Sequence, residues 1–134
     1  MTYPITQIRG IGTDAAGILK KQGIRTTIAL LRAAKTPKQR LRLAAKTGAD
    51  PKKILGWVTA ADRMRIKGVG FGYAELLRSA GVRTVSDLKL RNPQNLAESL
   101  GNAANRKLVR LLPKQRTLER WIESAKKLPA IISY

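Results

Sequence analysis

Two pairs of glycines are the residues best placed in this chain to do chemistry, and the chemistry they suit is the capture of an anion. Gly10-Ile11-Gly12 and Gly68-Val69-Gly70 each enclose one branched apolar residue between two glycines. A tight turn between helices needs glycine where φ is positive or where another backbone comes close, while Ile11 or Val69 points back to plug the core. Main-chain N–H groups then face outward at the start of a helix. Unsatisfied donors and the positive end of the helix dipole favour a phosphate there. The second pair is the better site: the cations Arg63, Arg65 and Lys67 flank it, and Gly72 keeps the backbone open just beyond it. The first has only Met1–Gln7 upstream, and Asp14 puts a carboxylate in the first turn, where it competes for the dipole.

Other chemistry is scarce. The chain has no cysteine and no histidine, which removes thiol nucleophiles, the commonest metal ligand and the commonest general base. No cofactor, metal or catalytic residue is expected. Lys and Arg number 27 against 8 acidic residues, a net charge of +19 in 134 residues. Compaction at that charge costs self-repulsion that an anionic partner would relieve. Aromatic residues make up only 4% of the chain, too few for a single-strand stacking platform. No stretch approaches the roughly 20 apolar residues that span a bilayer, and the N-terminus lacks a signal pattern. No membrane partner is expected. The expected location is the cytoplasm, on the nucleoid in a bacterial or archaeal cell.

The elements that position the glycines recur. With an offset of 58, residues 8–30 lie over residues 66–88 with nine of twenty-three positions identical, among them Gly10/Gly68, Gly12/Gly70, Ala16/Ala74, Gly23/Gly81, Arg25/Arg83 and Thr26/Thr84. Trp57 and Trp121 align at a longer offset. Glycine and proline punctuation predicts helices over Asp14–Gln22, from Thr26 to Ala34, from Pro37 to Gly48 and from Pro51 toward Met64. In the second copy it predicts helices over Gly72–Ala80, after Thr84, from Pro93 to Gly101, over Ala103–Leu111, and from Pro113 to Leu128. The apolar residues are mostly Leu, Ile, Ala and Val, which suits helix packing. The expected fold is all-α, with two repeats, residues 1–64 and 65–134, in one compact unit.

Gly-hydrophobic-Gly with an alanine four residues on, at Ala16 and Ala74, resembles the helix-hairpin-helix motif of DNA-binding proteins that read no sequence. With the following Gly-(Ile/Val)-Arg-Thr element, nearly the whole chain resembles a group of small tandem helix-hairpin-helix proteins, a domain of unknown function. That resemblance implies a pseudo-symmetric, SAM-like helix-hairpin-helix bundle and, through it, double-stranded DNA as partner.

Further cations complete the expected interface. Arg25 and Arg83 occur once per repeat, and Lys35, Lys38, Arg42 and Lys46 are spaced to share a helical face. Three other readings stay open: structured RNA or a ribonucleoprotein in place of DNA, a base-excision enzyme using Asp87, and an adaptor for an acidic protein. Asp87 fits better as a first-turn acid after the Thr84 cap. The apolar C-terminal tail, residues 129–134, is expected to pack back, with Ile5 and Ile8 as candidate neighbours, or to mediate self-association.

Overall fold

The computed structural model describes residues 2–103 and 112–134. Among the described residues the chain is all-helical. A 3-10 turn at Ile5–Gln7 precedes α1 (Thr13–Lys21), α2 (Thr27–Ala33), α3 (Pro37–Thr47), α4 (Pro51–Arg63), α5 (Phe71–Ser79), α6 (Val85–Leu88), α7 (Pro93–Ala103) and α8 (Gln115–Lys126). No described helix is long and apolar enough to cross a membrane.

Local chemistry sets most boundaries. Thr36 accepts from the Gln39 amide while Gln39 reaches back to the Thr36 amide, and Pro37 supplies a preset φ at the first helical position. Thr26, Asp50 and Thr84 cap α2, α4 and α6 with their side chains, and Asn92 Oδ1 accepts from the first-turn amides of α7. The C-terminal ends of α1 and α5 match bond for bond. Gly23 (φ 80°) and Gly81 (φ 86°) take the left-handed conformation. Their amides donate to Lys20 and Arg78, and those of Ile24 and Val82 to Leu19 and Leu77. This is a Schellman closure, with its apolar pair Leu19/Ile24 or Leu77/Val82 fully buried.

The core is one continuous cluster running from Ile5 through Ile54, Met64 and Leu88 to Ala125. In the first half α4 packs on α2 and α3; in the second, α8 packs on α6 and α7. The stripe Leu118, Trp121, Ile122 and Ala125 of α8 is buried, as its spacing requires. Among the described residues three charged side chains are buried, those of Arg40, Asp62 and Arg63. Arg63 donates to the carbonyls of Ala74 and Arg83, both at 2.9 Å. Burial pushes its guanidinium down to about 10, still charged at neutral pH. Asp62 accepts from Arg65 at 2.8 Å and from the Val85 amide at 2.8 Å.

Several boundaries differ from the sequence expectation. α7 runs through Gly101 to Ala103, because a glycine without a left-handed turn does not stop a helix. α8 begins at Gln115 rather than Pro113. The helix expected over Ala103–Leu111 lies outside the described residues, save Ala103, which ends α7. The C-terminal tail packs back, as expected. Its far end bonds to the α2–α3 region, where Ser133 N donates to Lys35 O at 2.9 Å and Arg40 donates to Ser133 O at 2.6 Å, and its near end accepts from Arg65 at Pro129 O.

Candidate nucleic-acid interface

Backbone first. Gly10 and Gly68 have φ of 92° and 91°, a conformation that L side chains rarely adopt. The next amides fold back in the same way, Ile11 N to Ile8 O and Val69 N to Ile66 O, and Ile11 and Val69 are buried. Gly12 and Gly70 then start α1 and α5, nine residues each, in extended conformation and with no side-chain cap. Five of the other described helices are capped by a side chain; these two begin with open amides.

Gly12 and Gly70 are informative because the fold does not need them to be glycine. Neither has positive φ, and a Cβ built on either meets nothing within 4 Å. Glycine at such positions leaves the amides open to the close approach of something outside the chain.

A cleft adjoins each turn. At the first turn it is lined by Arg9, Gly10, Lys53, Gly56, Trp57, Ala60, Arg63, Glu75 and Arg78. At the second it is lined by Lys67, Gly68, Tyr73, Thr117, Arg120, Trp121 and Ser124. The volumes, about 420 and 410 Å³, are nearly equal, so chemistry rather than room separates the clefts. In the first, the Glu75 carboxylate holds both Arg9 and Arg78 at 3.1 Å. Burial works against its ionisation, but hydrogen bonds from Arg78 and Arg9 outweigh burial and keep it below its usual range. The second cleft has no carboxylate among its lining residues, and Lys67 is exposed.

A tryptophan stands behind each turn. The Cβ position of Gly10 lies 3.4 Å from Trp57 Nε1, and that of Gly68 lies 3.5 Å from Trp121 Nε1. Both side chains are buried, at 7% and 4% exposure.

The expected site residues are not all in one place. Lys67, Gly68, Val69, Gly70 and Gly72 form the second turn as expected. Arg63 and Arg65 do not face the second cleft: Arg63 is buried, its guanidinium spent on the carbonyls of Ala74 and Arg83, and the Arg65 side chain is 7% exposed, paired with Asp62 and donating to Pro129 O at 2.9 Å. Arg25 is exposed. The Arg83 guanidinium lies 4.8 Å from the Tyr134 ring centroid. Lys38, Arg42 and Lys46 are exposed on α3, whereas Lys35 precedes the Thr36 cap and lies outside that helix. Arg42 and Lys46 line a separate groove with Gln22 and Ile24. Sequence reasoning missed Arg120, Lys53 and Arg78, which reach the turns only through tertiary packing. The matching tryptophans were a signal for this, since each half places one on the helix packed behind its turn.

The sequence pattern of one family matches residues 9–128 and carries the description "Domain of unknown function (DUF4332)". No curated protein and no solved structure matches the chain. With nearly all of its length covered by that one pattern, the chain belongs to the DUF4332 family.

Proposed function

We propose that this protein binds double-stranded nucleic acid, DNA in the first instance, by gripping the phosphate backbone at two helix-hairpin-helix turns, without reading base sequence and without catalysing a reaction. The observation that carries this reading is the set of glycines for which packing gives no reason. Gly12 and Gly70 lie at uncapped helix starts with open space around them, in a chain of net charge +19. A phosphate oxygen would accept from those amides as a side-chain cap does elsewhere in the fold. Phosphate contacts position a protein on a duplex but carry no sequence information, so binding is expected to follow shape and charge.

Two further features support a duplex over a single strand and binding over catalysis. Both tryptophans are too buried to stack on bases. Asp87, the candidate catalytic acid, has its carboxylate engaged by the amides of Arg83 and Thr84 at 3.1 and 3.2 Å, as the second half of a capping box. Arg25, Arg83 and the exposed α3 cations Lys38, Arg42 and Lys46 add non-specific attraction.

The test is a mobility-shift competition at two salt concentrations with duplex DNA, branched DNA and duplex RNA. Neutralising about 4–7 phosphates gives a slope of log affinity against log salt of about −4 to −6, with little dependence on sequence. Tighter binding of duplex RNA at equal salt would move the reading to a ribonucleoprotein partner. No binding of any of the three at low salt would end it.

A further inference from the structure

We infer that the indole N–H groups of Trp57 and Trp121 are the deep donors of two matching anion sites, each closing on one non-bridging phosphodiester oxygen. This rests on the phosphate-binding reading above and adds to it a side-chain donor at each turn. An indole can only donate, and a buried tryptophan usually satisfies its N–H within the protein. Here neither does: both side chains are more than nine-tenths buried, yet among the described residues neither Nε1 has a hydrogen-bond partner. Neither Nε1 is a sealed, orphaned atom, since among the described residues no buried side-chain nitrogen or oxygen lacks a partner. Each nitrogen therefore keeps some contact with solvent, and each lies beside a glycine.

The geometry repeats. Gly10 and Gly68 stand at φ of 92° and 91°, and the side chain that each lacks would lie 3.4 or 3.5 Å from the indole nitrogen. Any other residue there would cover the donor. Trp57 is carried on α4 and Trp121 on α8, helices of different boundaries, yet both deliver Nε1 to the same place relative to their turn. Both matching halves keep an N–H there, although a phenylalanine would serve packing, and that argues for a use of the donor. A phosphate oxygen accepting from the indole and from the amides that start α1 or α5 would replace the water that otherwise solvates these donors. Lys67 and Arg120 line the second cleft and offset the remaining charge.

Trp57→Phe and Trp121→Phe test this, because each keeps an aromatic ring in the core and removes the donor, along with the volume of the second ring. Unlabelled variants are measured for duplex DNA affinity and melting temperature, and the 15N-labelled native protein is titrated with the same duplex while its two indole resonances are followed. Both resonances are expected to shift. Each variant is expected to bind about tenfold more weakly, the loss of one hydrogen bond to a charged group, at temperatures where its own melting curve shows it folded. Should a variant fail to fold, the resonance titration on native protein decides alone. If native protein binds duplex while both indole signals stay fixed and folded variants bind as tightly, the inference is overturned. Failure of native protein to bind duplex would instead strike the reading beneath it. Titration with inorganic pyrophosphate then decides: shifted indole resonances keep the anion sites, and fixed ones remove them.

Discussion

The turns at Gly10 and Gly68 have the same backbone and opposite surroundings. Their glycines agree to one degree in φ, their helices start uncapped after the same extended residue, and their clefts differ by about 10 Å³. Around Gly10, however, Glu75 ties down Arg9 and Arg78, and Asp14 occupies the first turn of α1. Around Gly68 the cleft offers Lys67 and Arg120 with no lining carboxylate. On the proposed function, main-chain geometry sets where an anion sits and neighbouring side chains set how strongly it is held. The second turn is then the stronger grip and the first a weakened copy.

The largest effect separates two cations two residues apart. Arg65→Met should lower stability by about 3 kcal/mol, because it strands the buried Asp62 carboxylate. Lys67→Ala should leave stability within about 0.5 kcal/mol while weakening duplex binding and reducing the salt slope by about one. Denaturant unfolding and fluorescence anisotropy measure the two quantities, and the opposite pattern would place the binding cation at Arg65.

Next comes a direct comparison of the turns. Gly10→Ala and Gly68→Ala should each cost about 1–2 kcal/mol of stability, since both force a side chain into the left-handed region. Affinity corrected for folding should fall further for Gly68→Ala, by about tenfold. Equal losses at both turns would erase the proposed asymmetry.

Glu75→Gln should narrow that asymmetry from the other side. Releasing Arg9 and Arg78 makes two cations available at the first cleft, so the salt slope should steepen by about one. The same variant carries a pH signature. Glu75 titrates below its ordinary 4.5 in the folded protein, so its stabilisation is fully present above that value and is lost as pH falls through the lower one. Native protein should therefore lose stability relative to Glu75→Gln in that acid window, which thermal melts across pH would record.

The smallest expected change is the most discriminating for the glycines of the second turn. Gly72→Ala replaces a glycine of α5 whose φ is not positive by a better helix former, so stability should rise by about 0.4–1 kcal/mol. Duplex affinity should nonetheless fall severalfold. A variant that is more stable and binds equally well would make the glycine incidental.

Much of this was legible in the sequence. Caps, prolines and glycine stops are local rules, so Thr26, Thr36, Asp50, Thr84, Gly23 and Gly81 announced their helix boundaries. The offset of 58 announced the matched turns. What stayed hidden depends on side chains meeting across the fold. Nothing local distinguishes Arg65, folded under the tail onto Asp62, from Lys67, exposed two residues later. The Glu75 link to Arg9 spans 66 residues. The spacing that put Lys35 in line with Lys38, Arg42 and Lys46 took no account of the Thr36 cap, which ends the helix one residue short of it.

Backbone amide resonances followed during titration with duplex DNA bear most directly on the central claim, that main-chain donors at the glycine turns hold phosphate. The amides of residues 68–73 should shift first and furthest, with those of residues 10–15 following at higher ligand. A duplex that binds while both sets stay unmoved, with changes confined to the α3 cations, would contradict it.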